Sequence, residues 1–222
     1  AALKDIPAGN EYPYLETPVT KVLVAPYDAK QIYMAQISNL DKKYDPAIEP
    51  IRALYDEYFG GGMNSIVFQE MRETRGLAYS AWASIMPPSY LKYPYVLRTQ
   101  IATQNDKMID AVTTFNDIIN NMPESEAAFK LAKDGLTNRL RTERIIKGDI
   151  IWSYINAQDL GQNVDPRIKL YNDIQNMSLK DIVDFQKQWV KGRTYVYCIL
   201  GDKKDLEPVS YTHLTLPTIC SV

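Results

Sequence analysis

The sequence predicts an α+β fold, an antiparallel sheet with helices packed on one face. Three observations predict it. Two pairs of strand-like runs are each joined by a short turn, at 19–27 with 31–38 and at 77–86 with 93–103. Each pair is followed by residues with helical apolar spacing rather than by another strand. A late run, "RTYVYCIL" at 193–200, is apolar on both faces and therefore reads as a central strand.

In chain order, residues 1–18 are proline-rich ("IPAGNEYPYLETP") and read as a linker arriving from a missing upstream domain. "VTKVLVAPY" and "QIYMAQIS" are two strands with a turn at Asp28–Lys30. "DPAIEPIRALYDEYFG" is a helix that places Ile48, Ile51, Leu54, Tyr55 and Tyr58 on one face. Gly60, Gly61 and Gly62 end it and are expected to act as a hinge, because three glycines reach backbone angles other residues avoid. A second helix is expected from about Asn64 to Arg75, stopped by Gly76. Two longer strands follow, Leu77–Met86 and Tyr93–Thr103, joined by "PPSYLK". Met108, Ile109, Val112, Phe115, Ile118, Ile119 and Met122 then recur at helical spacing. Helical patterns continue at about 125–146, 149–163 and 166–175. "SLKDIVDFQKQWVKG" is a capped helix with Ser178 at the N-cap and Asp181 at its third position.

Composition narrows the function classes. The chain has 222 residues, 45% apolar and 23% charged, with a net charge of −2. That balance offers no electrostatic footprint for nucleic acid. No apolar run approaches the ~20 residues of a membrane span. Residues 208–222, "PVSYTHLTLPTICSV", carry no charge, directly after the charged "GDKKDLE". "VSYTHLTLPT" resembles the translated adapter of transposase-based sequencing libraries, so 208–222 is expected to be a non-native tail. The single histidine, His213, and one of the two cysteines, Cys220, lie in it. The rest holds only Cys198, which reads as a small core residue.

Without a native histidine neither H-E-x-x-H nor H-x-x-E-H exists, so no metal site is expected in this chain. Serine or cysteine nucleophiles lack a partner base for the same reason. Glu70 and Glu73 share a helix face, which reads better as a solvated face than as an acid–base pair. "YFGGGM" lacks the spacing and the lysine of a phosphate loop. Trp82, Trp152 and Trp189 lack the basic interleaving of a nucleic-acid platform and read as packing residues. Arg72 and Tyr79 remain, on either side of the turn at Gly76. A guanidinium and a phenol held there suit one task, giving two fixed donors to a carbonyl or carboxylate oxygen. The bland alternative is that Arg72 complements the helix C-terminus and Tyr79 packs in the sheet.

"FQEMRETRGLAYSAWA", with Gly60–Gly62, Asn64 and Ser65 ahead of it, resembles the C-terminal-type domain of insulinase/pitrilysin-like (inverted-motif) zinc metallopeptidases, the family of the processing peptidases. The resemblance runs from Pro18 to Asp205. It implies a processing-peptidase-like half-barrel domain over 19–207 that binds no cofactor itself, with zinc held by a missing partner domain. Arg72 and Tyr79 match, at the same spacing, the pair that such a domain offers to substrate across the chamber. The implied partners are the upstream catalytic domain or partner subunit and a peptide substrate. The implied function is to close the chamber and help bind substrate and transition state. The alternative is a zinc-free structural or assembly subunit of the same fold. The compartment is not read from the sequence; a bacterial periplasmic or envelope location is the guess, with the cytoplasm as the alternative.

Overall fold

The computed structural model describes residues 14–202 and the backbone of 219–221. Among them the strands are β1 (Lys21–Pro26), β2 (Gln31–Lys43), β3 (Ser80–Met86), β4 (Pro94–Gln104), β5 (Val196–Gly201) and β6 (Ile219–Ser221). The helices are α1 (Glu49–Phe59), α2 (Ile66–Phe68, continued by a π-helical turn over Gln69–Thr74), α3 (Met108–Asn120), α4 (Glu126–Thr142), α5 (Gly148–Asp159), α6 (Pro166–Ile174) and α7 (Leu179–Trp189). The strands form one sheet in the order β3-β4-β2-β5-β1-β6.

Side chains alternate across this sheet, as the two-residue period of a strand requires. Ile32 and Met34 of β2, Ile85 of β3, Leu97 and Ile101 of β4 and Ile199 of β5 face the helices and are almost fully buried. The opposite face is more open: Tyr33 is exposed and Cys198 half-buried. Helices on one face are what the sequence predicts. The core runs through an aromatic chain in which Tyr55 stacks on Phe59, meets Phe185, and leads by Phe185–Trp189 to an edge-on contact with Tyr95, each ring pair 5.1–5.4 Å apart. Most polar groups in this interior are paired, Ser38 Oγ being an exception. Gln36 Nε2 donates to Asn116 Oδ1 at 2.7 Å, and Thr99 Oγ1 donates to Gln36 Oε1 at 2.9 Å.

Two expectations are corrected. The first two strands do not pair with each other. β5 lies between them, parallel to β1 and antiparallel to β2. The connection at 27–30 bridges two strand spacings, about 10 Å, within reach of four residues at ~3.3 Å each. An all-apolar strand needs a neighbour on both sides, and β5 gains two this way. The expected helix 64–75 is also not a continuous α-helix, because its second half widens into the π turn.

The tyrosine-to-threonine end of the stretch expected as linker is bonded to the domain. Thr17 Oγ1 accepts from Asn39 N at 3.1 Å, and Asn39 Nδ2 donates to the carbonyls of Tyr14 and Leu15 at 3.3 Å. Residues 1–13 of that linker, and 203–218 and 222 of the stretch containing the tail, lie outside the described residues.

Candidate functional site

The segment carrying Arg72 and Tyr79 begins at Ser65, whose Oγ accepts from Phe68 N at 3.4 Å as the N-cap of α2. The buried Met71 anchors the π turn beneath. Its carbonyl accepts from Leu77 N at 2.8 Å and from Ala78 N at 3.2 Å, while Gly76 N donates to Arg72 O at 3.1 Å. These bonds use the carbonyls that a helix C-terminus otherwise leaves unpaired. Gly76 sits at φ +57°, the left-handed region that costs a residue with a Cβ, so glycine is needed for its angle alone. On the strand side, Tyr79 N donates to Ala102 O at 2.8 Å and Thr103 Oγ1 donates to Leu77 O at 2.6 Å. The whole elbow is therefore fixed by its backbone.

On that elbow the two predicted residues meet. The Arg72 guanidinium lies 5.5 Å from the centre of the Tyr79 ring and 5.0 Å from that of Phe68. Two aromatic faces hold the cation, and both partners stay in water: the Arg72 side chain is 45% exposed and Tyr79 is 70% exposed. Tyr79 is thus not a packing residue of the sheet. Arg75 pairs with Glu70 at 3.3 Å and Glu73 stands 3.6 Å from Arg72. The two glutamates join separate ion pairs and form no carboxylate dyad. Lys107 adds a third cation, its Nζ donating to Gly76 O at 3.0 Å.

Phe68 and Lys107 escaped the sequence reading. Phe68 is legible afterwards from its four-residue spacing to Arg72. Lys107 has no local signal, since the contact is made 31 positions along the chain. Chemically the elbow supplies donors, a guanidinium fork and a phenol, beside the ion-paired carboxylates of Glu70 and Glu73. It can hold an anionic or carbonyl oxygen. Among the described residues no group of three His, Cys, Asp or Glu could hold a metal ion.

A second polar cluster closes the outer edge of β3. Arg52 Nη1 bonds Asp56 Oδ2 at 2.8 Å and the carbonyl of Ile85 at 3.0 Å. Asp56 accepts from Ile85 N and from Ser84 Oγ, each at 2.9 Å. One residue-pair away, Gly60 O accepts from Ala83 N at 3.4 Å, and a Cβ on Gly60 would stand 2.3 Å from Ala83 O. Gly60 is therefore a close-approach glycine. Burial pushes the Asp56 carboxyl up from 3.8 to about 6, against the lowering effect of Arg52. Strand addition by a peptide is blocked at these positions of β3, because the edge groups it would use are already bonded.

Known proteins resemble this chain as follows. The family description "Peptidase M16 inactive domain" matches residues 4–136, more than half of the chain. "Non-peptidase homolog YmxG" of Helicobacter pylori is 27% identical over 216 residues, covering 91% of this chain and 48% of that protein. Among solved structures, a peptidase M16 inactive domain from Pseudomonas fluorescens aligns with a TM-score of 0.70 at 15% identity, over 88% of this chain and 47% of that one. A protease from Helicobacter pylori aligns at 0.67 and 12% identity, over 90% and 49%. The chain thus spans about half the length of these relatives.

Proposed function

Because the chain belongs to the peptidase M16 family, as a non-catalytic domain of the inactive type, we propose that it binds peptide on behalf of a catalytic partner domain, with Arg72 and Tyr79 as its contact. The observation that carries this is the stacked, exposed pair on a fixed elbow. The contacts of Arg72 with Phe68, Tyr79 and Glu73 hold the guanidinium in place and leave it open to water, where a ligand oxygen can reach it. Pre-placed donors serve a developing oxyanion at no cost of reorganisation. In this reading the zinc and its bound water belong to the partner domain. This chain closes the chamber, orients the peptide and adds positive charge near the scissile carbonyl.

A second reading has its own support. The relative named a non-peptidase homolog suggests a parent without hydrolytic activity, in which the same domain is a structural or assembly subunit. The solved protease, at 12% identity, shares the fold alone; the exposed Arg72–Tyr79 pair is what keeps the first reading ahead.

The test uses the full-length parent. In a zinc-holding parent, Arg72→Ala and Tyr79→Phe should each lower peptide turnover about 10²–10³-fold with zinc content unchanged. In a parent that cleaves nothing, the same variants should weaken peptide binding about tenfold or more, the value of a charge-assisted hydrogen bond. Unchanged turnover and unchanged peptide affinity would remove the pair from the site.

A further inference from the structure

Helix α5 leaves large apolar side chains uncovered. None of its residues is buried, although it is rich in large apolar side chains. Ile150, Ile151, Trp152, Tyr154 and Ile155 are all exposed, with Ile151, Trp152 and Tyr154 more than 60% in water. At 100° per residue, Ile151, Ile155 and Trp152 share one side of the helix, whereas Ile150 and Tyr154 turn to a cleft of about 320 Å³ that they line with Val164 and Pro166. The other side carries Asp149, Ser153 and Asn156, and these three line a cleft of about 460 Å³ over Tyr44, Glu49 and Arg52 of the domain body. The side carrying Ile151, Trp152 and Ile155 lines neither cleft, so α5 turns an apolar side away from the domain body.

The helix also has little support of its own. Its N-cap, Lys147, makes no side-chain capping bond and sits at φ +52°, ψ −126°, a strained geometry for a residue with a Cβ. Helices of about 12 residues are marginal unless tertiary packing holds them.

We propose that the apolar face of α5 is the docking surface for the other half of the parent protein, a neighbouring domain with a complementary apolar face. The relatives carry about as much chain again beyond what they share with this one. A covalently linked neighbour stands at high effective concentration, and can cover a face too small to recruit a free partner. Lipid is a poorer occupant: an interfacial helix wants lysine and arginine on its polar side, and α5 has aspartate, serine and asparagine there. The proposal rests on the reading that this domain works within a longer protein, but not on the Arg72–Tyr79 pair.

The test compares the 222-residue chain with the full-length parent. Hydrogen exchange of the α5 amides should be fast in the chain and at least tenfold slower in the parent. Trp152→Glu should shift the melting temperature of the chain by no more than about 2 °C, as an exposed substitution does. In the parent it should lower melting by several degrees, because there it puts a charge into a covered apolar face. Equal exchange of α5 in chain and parent would overturn the proposal. So would protection of α5 already in the chain, whether by its own termini or by a dimer that Trp152→Glu disperses, or binding of the chain to phosphatidylcholine vesicles. Arg72→Ala should leave α5 exchange untouched, so failure of the peptide site and failure of the docking face read out separately.

Discussion

Gly76 and Asp56 show how a single residue can be fixed by an angle or by a field. At Gly76 nothing lies within 4 Å of where a Cβ would stand, so only φ +57° selects glycine. Gly76→Ala should therefore cost about 1–2 kcal/mol in urea unfolding, and Gly76→Asn less, since asparagine tolerates the left-handed region. Equal losses would show that something other than the angle is at stake. Asp56 sets an ion pair against burial. Its carboxyl is pushed up to about 6 from 3.8, with burial the larger influence and Arg52 the opposing one. An acid with a higher pKa in the folded state binds more protons folded than unfolded between the two values. Its contribution therefore favours folding at the acid end and is lost as pH rises from 3.8 to about 6. The destabilisation caused by Asp56→Asn, measured by denaturant unfolding at pH 4.5 and at pH 7, should shrink toward pH 7. If it grows instead, the Arg52 pair outweighs burial and the shift has the opposite sign.

At the scale of elements, two junctions decide where pieces of secondary structure begin and meet. Helix α7 starts as the sequence predicts: Ser178 N donates to Asp181 Oδ2 at 2.8 Å, and Ser178 Oγ to the same oxygen at 2.7 Å. Those bonds also hold the Asp181 carboxyl below its ordinary range. Asp181→Ala should lower stability by about 0.5–2 kcal/mol at pH 7, and by less in acid, where the Asp181 carboxyl is protonated in the folded and unfolded states alike. The junction of α1 with β3 runs through Gly60. An added methyl meets the Ala83 backbone, which has no flexible end to swing away. Gly60→Ala should cost about 1–3 kcal/mol, in the range of overpacked cores, whereas Gly62→Ala, with only the Glu57 carboxylate near at 3.9 Å, should cost less. Similar losses at the two positions would favour the hinge expected of all three glycines over a contact at one of them.

For the whole molecule, the sheet order makes the tail a matter of one edge. The backbone of β6 pairs with β1 only over Val22–Val24, and β1 keeps β5 along its full length on the other side. Truncation after Glu207 should therefore shift the melting temperature by no more than about 2 °C. Zinc should raise neither melt, since a ligand stabilises only by binding the folded state. A loss of many degrees on truncation would make 208–222 part of the native fold, and a zinc-dependent rise in the truncated chain would require a metal site within 1–207.

The sequence by itself determined what short-range periodicity and local chemistry encode. Helical spacing named the buried face of α1 through Leu54, Tyr55 and Tyr58, and the double-sided apolarity of "YVYCIL" made β5 central. The Gly76 stop brought Arg72 and Tyr79 to one elbow. Only the tertiary structure decided which strand lies beside which. β1 and β2 look like a hairpin locally, and the burial gained by placing β5 between them is a competition among residues more than 150 positions apart. The π turn, the sealing of β3 by Asp56 and Arg52, and the outward apolar face of α5 were likewise beyond the sequence. A helical period states that one face is apolar and not which way it points, because direction is set by what else has already filled the core.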